Sequence, residues 1–174
     1  MSRARTVSTL LASLVLAGGC GYRVGGRADL LPSTVRTIAI PAFSNATTRY
    51  KLTEQIPSAL TREFISRTRY RIVADPREAD AVLEGAVANF MSAPTIFDQA
   101  TGRAAGIQVS VFLNVTLRDR PTGKILYQRQ GMEVRQRYEV SIEEREFFDE
   151  SGMALQRLSQ EVARQVVSSV LSAF

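Results

Sequence analysis

Residues Gln108 to Asp119 alternate almost without fault. Val109, Val111, Leu113, Val115 and Leu117 fall on one side, and Ser110, Asn114, Thr116 and Arg118 on the other, with Phe112 the exception. A strand of that pattern has one apolar face, and the face must be covered by another layer. Two segments have the period to cover it. Leu52, Ile56, Leu60 and Phe64 recur every fourth residue, with Ala59 and Ile65 beside them, and predict an amphipathic helix over about 53–68. Leu155, Leu158, Val162, Val166, Val170 and Phe174 predict a second, over about 150–172. Thr53 is the expected N-cap of the first helix, and Pro57 is tolerable there only within the first turn.

Further strands are expected at Val35–Phe43, Tyr70–Val73, Ala81–Met91 and Ile125–Arg137. The first alternates only loosely, as a strand buried on both faces does, and Pro41 marks its end. Arg120-Pro121-Thr122-Gly123 reads as a hairpin turn, and Ser92–Gly106, with Pro94, Gly102 and Gly106, as a long connection. The charged stretch Ser141–Asp149 reads as a second connection. The order β-α-β-β-β-β-α predicts an α+β fold: a two-layer sandwich with a mostly antiparallel or mixed sheet of about four to five strands, both helices on one face.

The chain start has a different character. Arg3 and Arg5 precede an apolar run from Leu10 to Leu16, and the small residues Ala17, Gly18 and Gly19 lead to Cys20. That run is far shorter than the ~20 residues of a spanning helix and has the build of a secretory signal. The segment resembles the lipobox of bacterial lipoproteins, with Ala17 where Leu is favoured. The resemblance implies cleavage before Cys20, acylation of its thiol, and anchoring by chains in which each buried CH₂ contributes ~0.8 kcal/mol. Gly21 in place of Asp directs such a protein toward the outer membrane. Three segments follow: a signal peptide at 1–19, a lipidated Cys20 with a Gly-rich tether to 34, and one domain over 35–174.

Composition removes most chemistry. The chain has no His and one Cys, so Ser-His-Asp and Cys-His catalysis, Cys/His zinc sites and an internal disulfide are excluded. The carboxylates at Glu143, Glu144, Glu146, Asp149 and Glu150 read as a solvated run and not as an acid/base pair in a cleft. No enzyme activity, metal or cofactor is expected. Arginine is the one suggestive residue type. Past the leader there are 20 basic residues against 17 acidic ones, a balance of +3 that suits an anionic partner without requiring one. Arg118, Arg120 and Lys124 surround the hairpin turn, Arg62, Arg67, Arg69 and Arg71 gather near the end of the first helix, and Arg129, Arg135 and Arg137 share odd positions of one strand. Aromatic residues are too sparsely interleaved among them for a base-stacking platform, so no nucleic-acid partner is expected.

Taken in order, the lipobox with Gly21-Tyr22-Arg23-Val24, the strand Leu31–Pro41, Phe43-Ser44-Asn45, Arg71-Ile72-Val73, Ala79-Asp80-Ala81-Val82-Leu83-Glu84-Gly85 and the Arg118-Asp119…Thr122-Gly123-Lys124 hairpin resemble the LptE family. The resemblance implies a lipoprotein that plugs the LptD β-barrel, helps it assemble, and contacts lipopolysaccharide. It assigns that contact to basic residues in loops at one end of the sheet, here Arg103 and Arg145. The strand–loop–helix opening Ile38–Asn45 also resembles the αβ domains of CsgG-type secretion lipoproteins and the N-terminal domain of TolB, an alternative with a ring-forming pore. If Cys20 carries the lipid, Cys20→Ala will no longer be labelled by palmitate nor partition with membranes; labelling that persists refutes the assignment.

Overall fold

The computed structural model describes residues 31–99, 101–139 and 144–174, with the backbone alone for 144–151. The leader, Cys20 and most of the tether lie outside the described residues. Six strands and two helices follow in order: β1 (Thr37–Ala39), β2 (Ser44–Asn45), α1 (Leu52–Arg67), β3 (Arg71–Val73), β4 (Ala81–Phe97), β5 (Ala104–Asp119), β6 (Ile125–Glu139) and α2 (Glu144–Ser172). The sheet is mixed, in the order β3-β1-β4-β5-β6, with β2 alongside β4. The strands β1, β2 and β3 run parallel to their neighbours, and β4, β5 and β6 are antiparallel. The expected α+β class holds, and the sheet is one strand larger because Ser44–Asn45, expected as loop, pairs with Ala86 and Val87.

The apolar residues do what their spacing requires. Val109, Val111, Leu113, Val115 and Leu117 of β5 are buried beneath Ile56, Leu60 and Phe64 of α1 and Leu158, Val162 and Val166 of α2, in one continuous core. The helices run side by side in the same direction. Gln55 faces a groove with Gln156, and twelve residues on, the Arg67 guanidinium donates to Ser168 Oγ at 2.8 Å.

Two contacts lock the left half of the sheet. The first is Phe43 on Gly85. A Cβ built on Gly85 would lie 2.1 Å from the Phe43 ring, which is itself buried. The missing side chain is therefore the seat of the ring. Phe43 then donates its N–H to the Thr53 carbonyl at 3.1 Å. That carbonyl is the one Pro57 leaves without a helical partner. Pro57 thus sits in the second turn of α1, past the expected limit, because another segment satisfies the group it frees. Thr53 is not the cap: Lys51 occupies that position without a side-chain bond.

The second lock is Asp80. Its Oδ2 accepts from the Arg36 N–H, the Thr37 N–H and the Thr37 hydroxyl, each at 2.9 Å. Its own N–H returns to Thr37, and Arg120 donates its N–H to the Asp80 carbonyl at 2.8 Å and its Nε to Ala79 O at 2.6 Å. The carboxylate ties the start of β1 to that of β4, and the Asp80 and Ala79 backbone carbonyls tie both to the β5–β6 turn. These bonds, the Arg36 N–H foremost, hold the Asp80 carboxyl below the usual carboxylate range.

Three expectations change. Residues 92–97 and 104–106 are strand, so the connection shortens to the positions between Phe97 and Ala104. Pro94 is accommodated because, beyond Val87, β4 pairs only with β5 among the described residues, and an edge position needs no ladder N–H there. Gly106 lies under Ile96, whose side chain would be 3.1 Å from a Cβ. The helix α2 starts at Glu144 and absorbs most of the expected second connection. Acidic residues in a first turn favour a helix start. Third, Arg129 leaves the face that carries Arg135 and Arg137. Between Leu113 and Val115 the register shifts by one around Gly131, which has φ +62° and donates its N–H to Asn114 Oδ1 at 2.8 Å. A one-residue bulge inverts the faces on either side of it.

Gly85→Ala is expected to destabilise the domain by about 1–3 kcal/mol through overpacking against Phe43. Adding Phe43→Leu should recover part of that loss, as a thermal or denaturant melt would show; additive losses would refute the contact. Because the Asp80 pKa is depressed on folding, its contribution is present above the unfolded value of about 3.9 and fades as pH falls through the folded one. Asp80→Ala should therefore be about 2 kcal/mol less stable near neutrality. The gap to wild type should narrow below about pH 4; a gap independent of pH would refute the role.

Candidate functional site

The β4–β5 turn is built by Asp98, whose Oδ1 accepts from the Thr101 N–H at 2.7 Å and its hydroxyl at 2.8 Å. Asp98 N–H donates to the Arg103 carbonyl at 2.8 Å, and Gly102 takes φ +68° to close the loop. Arg103 is exposed on this turn, in no ion pair among the described residues. Next to it the second half of β4 carries no charged residue from Asn89 to Phe97, and Met91, Ile96 and Phe97 are 54%, 45% and 58% exposed. A cation beside exposed apolar side chains is the pattern of a surface that meets amphiphiles. The strand edge itself is blunted. Phe90 N–H is taken by Asn89 Oδ1 at 2.8 Å, and Pro94 has none to offer, so contact there falls to side chains and not to an added strand.

The backbone of Arg145 enters α2 at this same end, since β6 reaches Glu139 opposite Gly106. Its side chain lies outside the described residues, as does Cys20. Sequence reasoning missed Arg49, Tyr50 and Lys51, which stand nearby. Asn45 holds their loop: its Nδ2 donates to the Arg49 carbonyl at 2.9 Å and its Oδ1 accepts from the Thr47 N–H at 2.8 Å. The Arg49 guanidinium lies 5.2 Å from the Phe90 ring centroid. An Asx turn just before a helix, followed by Arg-Tyr-Lys, was the available signal.

Several other arginines are neutralised locally. Arg135 pairs with Glu133 at 2.7 Å, Arg118 with Glu84 at 3.8 Å, and Arg67 with Glu63 at 3.3 Å. Five clefts on the described surface have volumes of about 270–430 Å³. Among the described residues no group of His, Cys, Asp or Glu could hold a metal ion, and no helix is long and apolar enough to cross a membrane.

A largely polar outer sheet face, a tip where Arg103 stands beside exposed apolar side chains, and two covering helices define an architecture, and the comparisons give it a family. The model of the LptE family, described as lipopolysaccharide-assembly, matches residues 35–170. The chain belongs to the LptE family. The match spans every strand and nearly all of α2, and it carries lipopolysaccharide assembly by a non-catalytic lipoprotein as the function at family level. No curated protein matches in sequence. Among solved structures, an uncharacterized lipoprotein B from Nitrosomonas europaea aligns with TM-score 0.57 and 16% identity over 88% of this chain and 93% of that one. A candidate lipoprotein from Caulobacter crescentus CB15 aligns with TM-score 0.54 and 14% identity, over 78% and 88%. Identities this low show a shared fold.

Proposed function

We propose that this LptE-family chain is an outer-membrane lipoprotein, held on the periplasmic face by lipid on Cys20. It plugs an LptD-type β-barrel, assists that barrel's assembly, and contacts lipopolysaccharide during its delivery to the cell surface. The observation that carries the reading is the family match over 35–170, on a sandwich whose second sheet face has no helix on it among the described residues. That face presents Glu84, Asn114, Thr116, Arg118, Glu133 and Arg135, mixed in charge and hydrogen-bonding capacity. Such a surface suits the polar interior of a large barrel. The β4–β5 tip, with Arg103 beside Ile96 and Phe97, suits an amphiphile that has phosphate next to hydrocarbon. The family resemblance assigns Arg145, whose backbone lies in the first turn of α2, to the same contact. The role is binding and placement, with no catalytic step and no cofactor.

A mild-detergent pull-down from outer membranes through a C-terminal tag tests the partner. A stoichiometric large β-barrel, identified by mass, is the expected result; a homo-oligomeric ring without a barrel would overturn the reading. In the same preparation Arg103→Glu combined with Arg145→Glu should lower lipopolysaccharide crosslinking several-fold with an unchanged melting temperature. Equal crosslinking would remove both residues from the site.

A further inference from the structure

The described chain enters at one end of the sandwich and is fastened there. Leu31 is buried and donates its N–H to the Tyr70 hydroxyl at 3.0 Å. Val35, also buried, closes a turn on the Pro32 carbonyl at 2.8 Å. β1 and β3 start beside this latch, with Thr37 opposite Arg71, and Arg120 of the β5–β6 turn joins them through the Asp80 carbonyl. The last turn of α1 lies here too, since Thr68 leads within three residues into β3. Cys20 is eleven residues before Leu31, and a chain of that length spans at most about 40 Å. β4, with 17 residues, carries the β4–β5 turn roughly 50 Å further off.

The end nearer Cys20 is also basic. Arg36, Arg71, Arg120 and Lys124 are exposed there and in no ion pair among the described residues. The neighbouring acids are occupied. Asp80 accepts from the Arg36 and Thr37 N–H groups, Asp75 pairs with Arg77 at 2.8 Å, and Asp119 accepts from the Thr122 N–H at 3.1 Å. Glu78 is exposed and opposes the four cations. Ile125, 44% exposed, sets an apolar side chain beside Lys124.

We propose that this end docks on the anionic phospholipid headgroups of the leaflet that holds the Cys20 lipid. An acyl anchor and a basic patch are complementary signals for one membrane surface. The anchor keeps the domain near the bilayer, and the cations decide which way it stands. A negatively charged leaflet attracts Lys and Arg only within about a Debye length, ~8 Å at physiological salt. The short link from Cys20 makes this end the one that comes that close. Docked so, the sheet stands on the membrane and the β4–β5 tip, with Arg103, Ile96 and Phe97, points away from the bilayer. The cations are spread over two strand starts and a turn, which suits a charged plane better than a single phosphate. The inference rests on the proposed lipid on Cys20 and goes beyond the barrel and lipopolysaccharide roles.

The test uses the full-length lipidated protein in vesicles of phosphatidylcholine, with or without phosphatidylglycerol, that carry a headgroup-labelled acceptor lipid. With Cys20 acylated, Ser66→Cys in the last turn of α1, or Gln99→Cys at the tip, takes the donor dye alone. Energy transfer should be stronger from position 66 than from 99, rise with phosphatidylglycerol and fall at high salt. Arg36→Gln, Arg71→Gln and Lys124→Gln together should remove the phosphatidylglycerol-dependent part at an unchanged melting temperature. Arg36→Lys with Arg71→Lys should keep it, because a leaflet reads charge and not bidentate geometry. Transfer that ignores phosphatidylglycerol, or that survives the triple variant, overturns the proposal. Loss in Arg103→Gln with Phe97→Ser instead assigns the contact to the opposite end and also overturns it. If the triple variant loses a co-purifying barrel while its vesicle contact is unchanged, this end is a protein interface and the proposal falls. If Cys20 proves unacylated, the anchor reading falls, and co-sedimentation of the chain with phosphatidylglycerol vesicles decides the docking. There the triple variant should bind about fivefold less or weaker still, and equal binding overturns the proposal. If vesicle contact follows the expectation but no barrel co-purifies, the proposed function falls and the docking stands.

Discussion

The seat of Phe43 on Gly85 organises the half of the molecule around β2, β4 and the start of α1. Without a side chain at Gly85, β4 has a gap on its helix-facing side, and the ring fills it. The chain between β1 and α1 is thereby fixed against the sheet, so Ser44 and Asn45 can pair with β4 and Asn45 can fold the loop that follows. The same residue's N–H reaches the Thr53 carbonyl. A proline in the second turn of a buried helix would otherwise cost the helix a bond and a buried carbonyl its partner. Three sequence features that look independent, a Phe before a turn, a Gly in a strand and a Pro in a helix, are one contact.

The charge pattern of the sheet depends on a second small device. The bulge at Gly131 turns Arg129 toward α2, where it meets Ser169 Oγ at 3.1 Å, and leaves Arg135 and Arg137 on the uncovered face. Local ion pairs then mute much of that face. Cations in no ion pair among the described residues include Arg49 and Lys51 before α1, Arg103 on the β4–β5 turn and Lys124 on the β5–β6 turn. Distribution, more than net charge, decides which surface can hold an anion.

Periodicity made the helices, the buried face of β5 and the two-layer arrangement legible, because each needs only neighbours within a few residues. The extent of β4 was not legible. Pro94 and Gly106 signal a loop locally, and become acceptable only because one lies on an open edge and the other under Ile96. Arg103 was assigned to a sheet-end loop by family resemblance, and it is exposed on the β4–β5 turn. Arg49, Tyr50 and Lys51 went unnoticed because nothing in a run of three polar residues says that a second helix passes beside them.

The amino-acid sequence by itself determined the class of fold, the core-facing residues, the exclusion of His- and Cys-based catalysis, and the lipoprotein-like leader with its single Cys20. Those follow from composition and from spacing along one element. The tertiary structure alone decided which arginines stay unpaired, which face each occupies, and that Arg36, Arg71 and Lys124 share the end where Leu31 is latched. Those depend on register shifts and on which strand ends the topology brings together, quantities set by packing between segments distant in the chain. A one-residue slip that leaves local propensity unchanged reverses a whole face.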